Sequence, residues 1–162
     1  MKHLFSILGL ATVLLAGCHQ KPANASGTPA PAKHEHKPPH GGTPVVLGNE
    51  EYHIEFVLNA PEGKLQAFVM DGELENFIRV PANFFEVNAK LAGKDEPLTF
   101  HAIANNATGE TVGDTAAFEA HADWLNTSVT FDAALKELTV RTKSYQNVQF
   151  NFPKGNDTDE KK

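Results

Sequence analysis

Cysteine is almost missing from this chain. Cys18 is the only one among 162 residues, so no internal disulfide can form and no pair of thiolates can grip a metal. Methionine is nearly as scarce. Met70 is the only one besides the initiator, which removes the thioether clusters that suit Cu(I). Between Thr43 and Pro153 the only serines are Ser128 and Ser144, neither near a histidine in sequence. No G-x-S-x-G, no H-E-x-x-H and no glycine-rich phosphate loop opening a helix is present. Carboxylate pairs such as Asp95-Glu96 sit in turn contexts, where solvated charge is the default reading. No catalytic constellation remains, so the chain is not expected to be an enzyme. Positive charge is also short. Between Thr43 and Pro153, 16 Asp and Glu stand against 7 Lys and Arg, a net of −9. A field of that sign repels nucleic acid and anionic headgroups and attracts cations. Nucleic acid is thereby excluded as a partner.

What the chain does have begins at its first residues. In MKHLFSILGLATVLLAGC, Lys2 precedes an apolar run from Leu4 to Ala16, too short for a comfortable membrane span. It ends in Leu15-Ala16-Gly17-Cys18, which resembles a bacterial lipobox. On that reading residues 1–17 are a lipoprotein signal peptide and Cys18 becomes an acylated N-terminus carrying palmitate-type chains. Each buried methylene contributes ~0.8 kcal/mol, so three chains make the membrane attachment effectively permanent. His19 rather than Asp follows the cysteine. The expected location is the cell envelope; in a Gram-negative cell, resemblance to the sorting patterns there implies the outer membrane, facing the periplasm.

From Cys18 to Gly42 runs a tether rich in Pro, Ala, Gly and His with no large apolar residue. Such a segment cannot offset its ordering entropy by burial, and it is expected to be disordered. Fully extended it spans roughly 70–80 Å. A polar tail occupies 154–162. Residues 43–153 remain as one domain, and their pattern has period two. Tyr52, Ile54, Phe56 and Leu58 fall on one face, with His53, Glu55 and Val57 on the other. Further strands are expected at 43–47, 64–70, 84–91, 98–103, 137–141 and 148–152, the last two as a hairpin turning around 142–145. Turn signals every 8–12 residues or so point to an all-β antiparallel sandwich, Ig-like in kind. One helical competitor is 131–138, which Asp132 would cap.

Three of the eight histidines crowd into His34-Glu35-His36-Lys37-Pro38-Pro39-His40. Imidazole suits Zn²⁺, Cu²⁺ and Ni²⁺, but a useful site needs three or four ligands, so a mobile arm must meet something fixed. His34 and His36 read either as such ligands or as solvated linker. His53 and Glu55 share a strand face; His53 reads either as a ligand or as an exposed histidine beside a cross-strand neighbour. The hairpin signal Gly48-Asn49-Glu50 makes residues whose numbers sum to 97 or 99 pair. Gly42 then lies across from Glu55 or Val57, with His40 about two residues, or ~7 Å, beyond. His40 thus comes within reach of Glu55. Reaching His53 requires a fold-back at Gly41-Gly42, which two glycines allow. His101, embedded in an apolar strand, and His121, with no partner at ligand spacing, read as structural.

Pro39-His40-Gly41-Gly42, Tyr52-His53-Ile54-Glu55 and Lys64 through Asp71 resemble the small His-rich N-terminal domain of RND-type heavy-metal efflux adaptors. They are also similar to stand-alone envelope lipoproteins with the same pattern. More loosely similar are FEAHADWLNTSVTFDA and the hairpin at Ser144-Tyr145. The resemblance implies His40, His53 and Glu55 as metal-associated positions and a metal-efflux system or other envelope protein as partner. Ending at Lys162, the sequence leaves no room for the adaptors' coiled-coil hairpin and lipoyl-like modules, so an accessory rather than a pump subunit is expected. The expected function is a lipid-anchored envelope protein that binds a divalent transition metal, zinc or copper(II), for buffering, delivery or resistance. Its ligands would be His40, His53, Glu55, His34 and His36. The alternative is a non-catalytic envelope interaction module whose arm is only a spacer.

Overall fold

The computed structural model describes residues 37–157. The expected signal segment, Cys18, His34 and His36 lie outside them. Eight strands follow in order: β1 (Thr43–Leu47), β2 (Tyr52–Asn59), β3 (Lys64–Asp71), β4 (Phe84–Leu91), β5 (Lys94–Ala102), β6 (Ala117–His121), β7 (Phe131–Val140) and β8 (Lys143–Phe152). Two short 3-10 turns, Ala60–Glu62 and Asp123–Asn126, are the only helical pieces among the described residues. Every strand pairing is antiparallel, in one sheet of order β1-β2-β3-β6-β5-β4-β7-β8.

The antiparallel all-β fold expected from the alternation is what forms. Its two layers come from a single sheet curling over itself into a nearly closed barrel, whereas an Ig-like sandwich has two separate sheets. The aromatic core shows the curl. Phe56 of β2 stacks on Phe150 of β8 with ring centroids 5.0 Å apart and meets Phe100 of β5 at 5.4 Å. Neither strand is a neighbour of β2 in the sheet, so these are contacts across the interior. Strand twist accumulates over eight strands until one apolar face wraps around itself.

Period-two patterning explains each strand, and one bulge explains the apparent helix. In β7 the buried residues are Phe131, Ala133 and Leu135, then Leu138 and Val140. The parity changes at Lys136, where the register between β4 and β7 shifts at Glu86/Val87. An odd-to-even switch imitates a spacing of three, which is why 131–138 looks helical in the sequence. The hairpin to β8 turns tightly at Arg141-Thr142, two residues ahead of the expected centre.

The seam between the outermost strands is closed by the end of the chain. Beyond β8 the backbone reverses, with Asn151 and Gly155 exchanging both backbone hydrogen bonds at 3.0 and 2.7 Å. Asn156 then uses its carboxamide on both backbone groups of Val46 in β1. Its Oδ1 accepts from the N–H at 2.7 Å and its Nδ2 donates to the carbonyl at 3.1 Å. Thr43 Oγ1 adds a bond to the Pro153 carbonyl at 3.1 Å. Gly155 and Asn156, which composition assigns to the polar tail, thus belong to the fold. At the other end of the seam, Glu51 bonds Lys143 at 2.6 Å and the Tyr145 hydroxyl at 2.6 Å. Those contacts hold the Glu51 carboxyl below the usual carboxylate range, Lys143 contributing most and Tyr145 next. Burial, and next the Glu51 carboxylate, push the Tyr145 phenol well above its ordinary value.

Candidate functional site: a buried carboxylate that fixes His40

β2 carries Ile54 and Phe56 into the core and turns His53 and Glu55 to the opposite face. That face is not wet. Glu55 is 0% exposed and His53 2%. Next to Glu55 across the sheet are Pro44 of β1 and Phe68 of β3, and residues 38–42 fold down over them. Pro39 sets the start of a turn closed by Gly41 N–H to the Pro38 carbonyl at 3.1 Å. Gly41 takes φ +68°, and Gly42 presses so closely on β2 that a Cβ there would collide with the Phe56 carbonyl. The observed register pairs residues summing to 99, one of the two expected, with the loop widened to 48–51.

Glu55 is the clip that holds this segment. Its Oε1 accepts from the backbone N–H of His40 at 2.9 Å and of Gly42 at 2.8 Å; its Oε2 lies 2.8 Å from His40 Nδ1. A carboxylate offers acceptors only, so the proton in the third contact sits on Nδ1. In neutral imidazole the lone pair is therefore on Nε2, on the far side of the ring. The ring itself is braced by stacking on Phe68, with centroids 4.1 Å apart and planes 20° apart. The His40 side chain as a whole remains 37% exposed.

His40 borders a cleft of about 540 Å³ whose walls include Phe68, Phe77, Arg79, Glu110 and Ala117. Phe77 is 52% exposed and approaches both His40 and Phe68, at 5.8 and 6.2 Å between centroids. The turn at Asp71 positions it. Asp71 accepts from the backbone of Glu75 and Asn76 at 2.9 and 3.2 Å and from the Asn76 side chain at 2.6 Å. Burial alone pushes the Asp71 carboxyl up, but hydrogen bonds from Asn76, Glu75 and Glu73 outweigh it and hold it below its ordinary value. On the opposite wall Arg79 ties down the 105–114 loop through Asp114 at 3.2 Å and the Gly109 carbonyl at 3.4 Å.

The structure brings two of the sequence-derived candidates into direct contact and places the third two residues along the same strand. His40 and Glu55 are in contact. His53 lies one row along the sheet, opposite Val46 and Met70, with Nδ1 3.3 Å from the Asp71 carbonyl. His40 stacks on Phe68. Among the described residues no group of three His, Cys, Asp or Glu is assembled to hold a metal ion. Glu55 is sealed from solvent and shared among three contacts, two backbone N–H groups and the His40 ring. Phe68 and Phe77 were missed in the sequence. The signal was there for Phe68: with Met70 it breaks the alternation of Leu65, Ala67 and Val69, marking an apolar patch on the face away from the core.

Comparison with protein-family models, with curated proteins and with solved structures finds no match to this chain. The resemblance to the efflux-adaptor domain therefore stands on its short motifs alone.

Proposed function

We propose that this chain is a lipid-anchored envelope protein that binds a divalent transition metal, with His40 Nε2 as the one fixed ligand. The observation supporting this reading is the buried Glu55 carboxylate on His40 Nδ1. A carboxylate or carbonyl on the second ring nitrogen is the usual way a metal-bound imidazole is oriented and its basicity raised. His34 and His36, six and four residues upstream, are the nearest further imidazoles in the sequence, and in this reading they complete the site. Zinc and copper(II) suit an all-imidazole donor set. The lipobox-like Leu15-Ala16-Gly17-Cys18 supports attachment to the membrane.

Isothermal titration of the chain lacking its leader with Zn²⁺ and with Cu²⁺ tests the reading. Expected is an ion bound tighter than millimolar that is missing from the titration of His40→Ala, so that this form takes up one ion fewer per chain, and that the joint change of His34 and His36 to Ala weakens. Equal binding by all forms would sink it. The cleft and the exposed Phe77 support the second reading, an interaction module for an envelope protein. Capture of a partner that survives chelator and His40→Ala, yet fails with Phe77→Ala, would favour that one.

A further inference from the structure

Elsewhere on the sheet, the strand register sets three side chains with metal-binding chemistry on one face. On β6, Phe118 and Ala120 enter the core, so Glu119 and His121 face the other way. β5 places Leu98 and Phe100 inside and His101 outside. The pairing of β5 with β6 sets His101 directly opposite Glu119, and His121 stands two residues farther along the same face. His121 Nε2 is already 3.7 Å from Glu119 Oε1, with side chains 57% and 36% exposed.

We propose that His101, Glu119 and His121 form a metal site for a first-row divalent ion, separate from His40. Directly opposed residues in an antiparallel pair have Cβ atoms about 5 Å apart, and diagonal neighbours about 7–8 Å. Two imidazoles at that diagonal can meet one ion at about 2.0–2.1 Å, with the carboxylate between them as third ligand. The three donors are not drawn in around a common point in the structure. Both histidines are on the solvent side, so their rings turn inward by rotation about χ1 and χ2. That ordering costs side-chain entropy. The surroundings help. Phe84, opposite His101 on β4, sets its ring 6.5 Å from that imidazole and covers one flank. Lys64, opposite His121 on β3, is the nearby cation, and its ammonium is drawn to Glu62 at 2.6 Å. Two imidazoles and one carboxylate leave coordination positions for water, so the ion here is exchangeable.

The test uses the chain lacking its leader with His34, His36 and His40 all changed to Ala, so that the arm contributes nothing. Zinc titration of this variant is expected to show one ion per chain, bound tighter than millimolar. Adding His101→Ala, His121→Ala or Glu119→Gln should each weaken binding tenfold or more. Nitrogen NMR of the imidazoles should shift for His101 and His121 on adding zinc. A triple variant that binds no zinc, or ring signals of His101 and His121 that do not move, overturns the proposal. It does not depend on the His40 reading, which is judged by comparing the unmodified chain with His40→Ala.

Discussion

Replacing Glu55 with alanine should unclip the segment that carries His40. The substitution leaves His40 N–H, Gly42 N–H and His40 Nδ1 without the acceptor they share. A hydrogen bond to a charged group contributes about 1.5–3 kcal/mol, but the three contributions do not add, because the freed segment can peel away and find water. Peeling forfeits the stack of His40 on Phe68, worth about 0.5–1.5 kcal/mol, and uncovers apolar surface. The net loss is therefore about 2–4 kcal/mol, or roughly 8–16 °C in Tm for a domain of this size. Thermal melting gives the total, and hydrogen exchange gives the location. In the wild type the amides of His40 and Gly42 should exchange slowly despite sitting at the edge of the domain. In Glu55→Ala those two should exchange orders of magnitude faster while Ile54 and Phe56 keep most of their protection. A variant melting within 2 °C of wild type, with both amides still protected, would refute the clip.

Glu55→Gln is the milder change. It keeps an oxygen for the backbone donors but presents an amide N–H to Nδ1, shifting the ring proton to Nε2; metal affinity should fall about 10–100-fold with little change in melting. Gly42→Ala should cost about 1–3 kcal/mol because its Cβ meets the Phe56 carbonyl and, at 2.8 Å, a Val57 methyl. Gly41→Ala has open space around it and should cost only about 1 kcal/mol, from its left-handed φ; urea melts of the pair check the order. Glu51→Gln tests the seam by pH. A carboxyl with a depressed pKa in the fold stabilises above its unfolded value of 4.5, and that stability is lost as the pH falls through the folded value. The variant should be weaker than wild type in urea melts at pH 7, and the gap should close in acid below that range.

The strands were legible because one side of each is apolar: Tyr52 to Leu58 needs no structure to be read. β6 was not legible, since Ala117-Phe118-Glu119-Ala120-His121 is short and carries one large apolar side chain. Nor was the curl of the sheet, because alternation says which side is inside but not whether one sheet or two enclose it. At the site, hairpin arithmetic brought His40 to Glu55. It could not reveal that Glu55 is sealed from water, since burial there comes from residues 38–42 folding back, a segment whose composition reads as tether. His101 and His121 lie far apart in the sequence, and only the pairing of β5 with β6 makes them neighbours.

The Glu55 clip has a mechanical meaning as well. Any pull on the chain upstream of Lys37 reaches the barrel through His40 and Gly42, so the load falls first on one carboxylate. Behind it stands β1, which among the described residues has β2 on one side and, on the other, Asn156 and the neighbouring chain end. A strand pulled from its end beside a weak seam comes away bond by bond instead of shearing all at once. The clip takes the force before that unzipping can begin, acting as a strain relief where cord meets plug.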